Sequence, residues 1–275
     1  MAVVELPVRV ARVACPHDCP DTCAWTVTVR DGRVEELTAD ADHPFTRGGL
    51  CPKVNRFLED RTYQHDRLLR PLRRTGSKGA AEFEPVSWEV ALDEIAGRLG
   101  AVIDGSGGEA ITMGTGTGLL PEDPSTRSVN MVQLGRALTG LEPPVRALVV
   151  YSANPAVTAP NQNLVRQGLG RDDLFTVVID HVVTDTARYA DYVLPATTQV
   201  EHHDMMWSWG HTYLARNEPA IDPVGEALPN AEIFRRLGRR MGFAEPAFKT
   251  GDEELVAGRA RWGTSGSPPG TRCRW

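Results

Sequence analysis

The 275 residues carry 30 Lys and Arg against 36 Asp and Glu, a formal net charge of −6 with histidine neutral, which argues against a protein that grips a phosphate backbone. Hydrophobic residues make up 41% and charged residues 24%, an ordinary globular balance, and no apolar run reaches the ~18 residues of a membrane span. The length suits two domains at about 100 to 200 residues each, and Met1 to Ala14 shows neither a basic start followed by an apolar stretch nor paired arginines, so the expectation is a cytoplasmic protein without a nucleic-acid partner.

Four of the five cysteines fall in the first 51 residues. In a reducing compartment such crowding reads as ligation. Cys15, Cys19, Cys23 and Cys51 stand as C-x3-C-x3-C-x27-C. Zinc ribbons usually bring two close pairs, whereas iron-sulfur cubanes often take three ligands from one loop and a fourth from afar. The spacing favours a [4Fe-4S] cluster over zinc, with a disulfide or inert thiols as the plain alternative. Pro16 and Pro20 stiffen the loop, and Asp18 and Asp21 sit where they could cap turns.

Residues 24–38 alternate apolar and polar around Asp31-Gly32, the signal of a tight hairpin. The arginine-rich stretch 59–79 lacks apolar periodicity and reads as an extended, solvated crossing segment. Ser87 then caps a helix whose Trp88, Leu92, Ile95, Leu99 and Val102 share one face. Ala110 to Met113 predicts a short strand feeding Gly114, Gly116 and Gly118. These glycines are followed by no Lys-Ser/Thr, so they read as a connection and not as a triphosphate loop. A helix is expected from about Arg127 to Leu138, with a break at Pro143-Pro144.

From Arg146 the pattern changes to strands at Ala147–Tyr151, Phe175–Ile179 and Tyr192–Leu194, alternating with a helix at Gln162–Leu169 and a helical turn at Thr186–Ala190. Strands alternating with helices imply a parallel, doubly wound sheet. A last helix spans Asn230–Met241. Beyond it the composition turns to Gly, Ser, Pro and Arg, so 246–275 is expected to be a disordered tail with Cys273 as a free thiol.

The segments CPHDCPDTCAW and GGLCPK, with DRLLRPLRR and FEPVSWEVALDEIAGRL, resemble the N-terminal portion of the molybdopterin oxidoreductases of the dimethyl sulfoxide reductase superfamily. The resemblance implies that the four cysteines hold a [4Fe-4S] cluster and that Lys53, two residues after Cys51, relays electrons between cluster and pterin. A second block runs from VRALVVYSANPAVTAPNQNL to LPATTQVEHHD, continued by GHTYLARNEPAIDPVGEALPNAEIFRRLGRRMGF. It is similar to the family's third domain, whose Rossmann-like sheet holds one arm of a molybdopterin guanine dinucleotide. By that resemblance Ser152, Asn154 and Pro155 lie on the loop after the first strand, Asp180 closes the next strand, and Thr184, Asp185 and Thr186 open the following turn as cofactor contacts. Each alone is as readily a turn or a helix cap.

The family's chains are more than twice this length. The expected organisation is an α/β protein: a β-rich iron-sulfur subdomain at 1–75, a connecting region at 76–145 and a Rossmann-like domain at 146–245. The region of the second domain that bears the molybdenum ligand has no counterpart between ITMGTGTG and RSVNMVQLGRALTG, nor is a C-terminal domain recognisable after Phe243. His202, His203, Asp204 and His211 fall within the second block and read as polar contacts or surface, not as metal ligands. The leading expectation is a family oxidoreductase that binds the cluster but is truncated, with a redox partner protein and with a second chain as a source of the missing domains. An iron-sulfur carrier or accessory protein without molybdenum catalysis, or a non-functional remnant, is the alternative.

Overall fold

The computed structural model describes residues 8–115 and 127–257. They form two compact units. One holds residues 8–67, 197–224 and 249–257, and the other holds 68–115, 127–196 and 225–248. The division differs from the expected segmentation, because 197–224 leaves the parallel-sheet unit and rejoins the cysteine unit. Among the described residues no helix is long and apolar enough to cross a membrane.

In the first unit β1 (Arg9–Ala14), β2 (Ala24–Arg30) and β3 (Arg33–Ala39) form an antiparallel meander. Asp31 and Gly32 join β2 to β3 with φ of 51° and 74°, the pair of left-handed residues that a two-residue hairpin needs. The inward faces bury Val13, Trp25, Val27, Val29 and Val34 against Val54, Phe57, Val200 and Ile221. Trp25 and Phe57 meet with ring centroids 4.8 Å apart. A second hairpin pairs Asp204–Trp207 with Leu214–Asn217.

Two buried polar groups explain why 197–224 belongs here. Asn217, fully buried, accepts from the Ala14 N–H at 2.8 Å and donates to the Gln199 and His202 carbonyls. Arg67 grips Glu201 in a two-pronged pair, at 3.0 and 2.7 Å, with the two side chains 2% and 0% exposed. Arg67 also donates to the Thr62 carbonyl, and the Thr198 and Val224 amides donate to Glu201. Such further bonds help offset the desolvation of a buried ion pair.

The second unit is a six-stranded sheet. Its strands are β4 (Leu72–Arg74), β5 (Phe83–Pro85), β6 (Ile111–Thr115), β7 (Ala147–Tyr151), β8 (Phe175–Asp180) and β9 (Tyr192–Pro195), in the order β5-β4-β9-β8-β7-β6. Strands β7 to β9 run parallel, as expected, β6 extends them in parallel beside β7, and β4 joins β9 antiparallel. The helices are α1 (Trp88–Ser106), α2 (Leu134–Gly140), α3 (Pro155–Thr158), α4 (Gln162–Leu169) and α5 (Asn230–Arg240).

Alternation explains the continuous apolar runs. Leu148, Val150, Val178 and Val193 share a core with Leu134 and Leu138 of α2 and Val165 and Leu169 of α4. Ala147, Val149, Val177, Ile179 and Leu194 pack with Trp88, Leu92, Ile95 and Leu99 of α1 and Ile233 and Leu237 of α5. Strands covered on both faces need apolar residues at every position, which is what LVVY and FTVVI supply. Burying each such side chain contributes about 1.5–3 kcal/mol.

Three other expectations change. The 59–79 stretch is no solvated linker: it begins within a π-helical turn at Leu58–Thr62, contains β4, and ties its arginines to Glu201, Glu84, Glu94 and Asp191. The helix expected from Arg127 starts later, because the Asn130 side chain accepts from Val132 N–H and opens a 3-10 turn at Met131–Gln133 before α2. The tail keeps order past 246, where Pro246–Phe248 form a 3-10 turn and Phe248 stacks on Phe243. Gly116, Gly118 and Cys273 lie outside the described residues.

Candidate functional site

The cysteine loop is the mouth of a hairpin. The β1–β2 register ends at Ala14 opposite Ala24, and the Cys15 N–H donates to the Cys23 carbonyl at 2.7 Å, so Cys15 and Cys23 face one another across the next rung. Opposed residues of an antiparallel pair stand on one face with Cβ atoms roughly 4.5–5.5 Å apart. Cys19 projects from the loop 16–22 that the pair closes. The segment after β3 folds back on Asp40, whose carbonyl accepts from His43 and Gly48 N–H, and delivers Cys51.

All four cysteines are free thiols, Cys15 and Cys23 buried and Cys19 and Cys51 part-exposed. Burial pushes the Cys15 thiol up to about 12, and the charges of Cys23, Cys19 and Cys51 push the same way while the His17 N–H opposes them. Cys23 is raised by burial and then by Asp21, Cys19 and Cys51. The other three cysteines thus act electrostatically on Cys15, and Cys19 and Cys51 on Cys23. Among the described residues no three His, Cys, Asp or Glu side chains close on a single ion.

Lys53 is exposed. Burial and then the Lys53 charge lower the His17 imidazole, which places the ammonium beside the cysteine loop. Asp18 does not cap a turn: its carboxylate accepts from the Trp209 indole at 2.7 Å. His202 meets the Thr197 hydroxyl at 2.9 Å and His211 meets the Asp21 carbonyl at 2.8 Å, in line with a polar role for these histidines.

In the second unit the remaining candidates gather at the C-terminal ends of β7 and β8, the edge at which parallel sheets bind ligands. Ser152 leaves β7 with φ of 52°, is exposed, and accepts from Asn230 Nδ2 at 3.2 Å. Asn154 turns inward, its side-chain oxygen accepting from the Thr186 N–H at 3.1 Å and the Thr186 hydroxyl at 2.7 Å. That hydroxyl in turn accepts from Ala156 N–H at 3.0 Å. Pro155 has no N–H to offer, and the amides of Val157, Thr158 and Ala159 are spent on Asn154 and Pro155 carbonyls.

Thr184 Oγ1 accepts from Ala187 N–H at 3.2 Å, and one Asp180 oxygen accepts from His181 N–H at 2.7 Å. Asp185 is exposed. Asn154 and Thr186 thus bind the loop after β7 to the turn after β8, while Ser152, Asp180, Thr184 and Asp185 stand nearer to solvent. Sequence reasoning named all of these residues but could not separate those that brace the loops from those that face outward.

Residues 8–64 match the molybdopterin oxidoreductase Fe4S4 domain and residues 127–240 the molybdopterin oxidoreductase family, together more than half of the chain. The probable oxidoreductase YoaE of Bacillus subtilis is 25% identical over 88% of this chain and 70% of its own length, in an alignment of 476 positions, more than this chain has residues. The dimethyl sulfoxide reductase DmsA of Escherichia coli is 34% identical over 39% of this chain, which reaches only 14% of DmsA. In fold, acetylene hydratase from Pelobacter acetylenicus superposes with a TM-score of 0.76 at 15% identity, over 94% of this chain and 72% of the other. The chain belongs to the molybdopterin oxidoreductases of the dimethyl sulfoxide reductase superfamily, and the cofactors that go with its two matched domains are a 4Fe-4S cluster and molybdopterin.

Proposed function

We propose that Cys15, Cys19, Cys23 and Cys51 hold the [4Fe-4S] cluster and that the chain is the electron-carrying part of a molybdopterin oxidoreductase, exchanging electrons with a redox partner protein. The observation that carries this reading is the supply of four free thiols by one strand pair, its loop and one returning segment, with Cys15 opposite Cys23 across the hairpin neck. Thiolates are the soft ligands iron-sulfur clusters require. When bound, the cluster supplies a one-electron centre. The hairpin neck fixes the spacing of Cys15 and Cys23, the buried core beneath them limits water, and Lys53 places a positive charge beside the loop on the proposed electron path.

In the second unit we assign Ser152, Asp180, Thr184 and Asp185 to contact with a guanosine dinucleotide arm of the molybdopterin cofactor. Hydroxyls suit phosphate or ribose, and carboxylates accept from ribose hydroxyls or guanine N–H groups. Asn154, Pro155 and Thr186 set the shape of the loop that carries Ser152.

We infer further that this chain does not turn over substrate alone. Only positions 116–130 separate β6 from the 3-10 turn that opens α2. The YoaE alignment runs over more positions than the chain contains, as it would if a long internal segment of that relative had no counterpart here. Anaerobic purification with iron, sulfide and molybdenum analysis, and spectroscopy of the reduced protein, tests the whole reading. Roughly four irons and four sulfides per chain are expected, with an electron accepted at the cluster and no molybdenum-dependent turnover. One zinc per chain would overturn the cluster assignment. Stoichiometric molybdenum with turnover that survives dilution would overturn the inference of a missing part.

A further inference from the structure

The cysteine loop is held from outside by residues that no ligand assignment uses. Its carbonyls at three consecutive positions each meet a side chain from elsewhere. Ser208 Oγ donates to the Pro20 carbonyl, and His211 Nε2 donates to the Asp21 carbonyl at 2.8 Å. The His43 ring bonds the Thr22 main chain.

The tautomers agree with these roles. His211 Nδ1 accepts from Tyr213 N–H, and His43 Nδ1 accepts from Thr46 N–H at 3.0 Å, so in both rings Nε2 carries the proton and donates. The Thr22 hydroxyl donates to the Trp207 carbonyl at 2.9 Å, and the Trp209 indole holds Asp18. Gly210 fits because no side chain could: a Cβ there would stand 2.6 Å from the Pro20 carbonyl oxygen. Buried Thr22 sits at φ of 40°, a conformation costly for a β-branched residue that persists only where its surroundings impose it.

We infer that the tip of the 204–217 hairpin, with His43, is an outer clamp that sets the peptide orientations of the cysteine loop and so directs its N–H groups at the cysteine sulfurs. In a trans peptide the C=O and N–H point opposite ways, so carbonyls of Pro20, Asp21 and Thr22 drawn outward turn the amides of Asp21, Thr22 and Cys23 inward. Hydrogen bonds to sulfur stabilise the more negative, reduced cluster and are among the levers on its potential. His211, Ser208 and Trp209 are thus positioning residues that act through the loop.

The inference rests on the cluster reading, and iron and sulfide analysis of the wild-type chain tests that reading first: without iron, both fall. With the cluster present, the midpoint potential and the reduced-state electron paramagnetic resonance line shape are measured for four variants of the full chain. His211→Ala and Trp209→Phe should shift the midpoint to lower potential and broaden the signal. His211→Gln, whose amide nitrogen occupies the place of Nε2, should restore both. Trp207→Phe, at a ring 62% exposed that is not one of the anchors, should change neither. If His211→Ala loses the cluster, alkylation of Cys19 in the iron-free chain decides, and it should be faster than in Trp207→Phe. A His211→Ala midpoint equal to that of Trp207→Phe, no rescue by His211→Gln, or equal alkylation rates would overturn the clamp.

Discussion

The cysteine loop and the loops at the ends of β7 and β8 are built from similar residues, small, polar and proline-punctuated, yet they are stabilised in opposite ways. The cysteine loop has few bonds of its own and is braced by side chains from a hairpin about 190 residues further along the chain, through Ser208, Trp209 and His211. The loop after β7 spends its own amides on its own carbonyls and is tied through Asn154 to Thr186 of the turn after β8. A loop braced from outside keeps its amides for a ligand. One closed on its own carbonyls spends them and presents only side chains.

The largest expected effect is at the returning ligand. Cys51→Ser should abolish or severely weaken the cluster, seen as lost iron and a bleached visible spectrum, because Cys51 alone ties the distant segment to the loop. Glu201→Gln comes next. It leaves the Arg67 charge buried without its carboxylate, and breaking such a pair costs about 3–5 kcal/mol, to be read as a lower denaturant midpoint. Thr186→Val removes the bridge between the strand-end loops and leaves the buried Ala156 N–H without its acceptor, for about 2 kcal/mol of destabilisation. Ser152→Ala should leave stability within about 0.5 kcal/mol and instead weaken binding of a guanine nucleotide, measured by calorimetry. If Ser152→Ala destabilises and Thr186→Val does not, the division between contact and brace is reversed.

The parallel sheet was legible because its signal is local. The runs ALVVY and FTVVID, the turn at Asp31-Gly32 and the Ser87 cap each declare themselves within a few residues, and the structure has each of them in place. The proposed cluster ligands rest on the spacing of the four cysteines. What escaped notice was non-local. The strand RVARVA before Cys15 has no turn signal until its partner is known, so the opposition of Cys15 and Cys23 could not be read. The 204–217 hairpin has the short strands DMMW and LARN, and its meaning lies in contacts with residues 18–22 that no periodicity reports. The exposed tryptophans of MMWSWGHTY were the available signal, since large aromatics at 62% and 68% exposure are seldom left on a surface without a reason. Arg67 and Glu201 likewise join 197–224 to the first unit, and no local pattern announces that pair.

The smallest effect concerns acid, and it separates the units again. Asp191 in the second unit is mostly buried and receives Lys78 at 3.1 Å, Arg74 at 2.6 Å and the Thr176 N–H at 2.7 Å. Burial alone would raise its carboxyl, but the Lys78 charge and the Arg74 and Thr176 hydrogen bonds outweigh burial and hold it below the usual carboxylate range. The net gain is modest because burial opposes the partners. A carboxyl depressed in the folded state stabilises fully above its unfolded value, about 3.9, and loses that contribution as pH falls toward the folded one. Denaturant midpoints of the second unit, followed through the Trp88 fluorescence region, should therefore drop between about pH 5 and pH 3, and Asp191→Asn should flatten that drop while lowering the midpoint at neutral pH. A slope unchanged in Asp191→Asn would assign the acid sensitivity to another carboxylate and leave Asp191 a neutral bystander of its three donors.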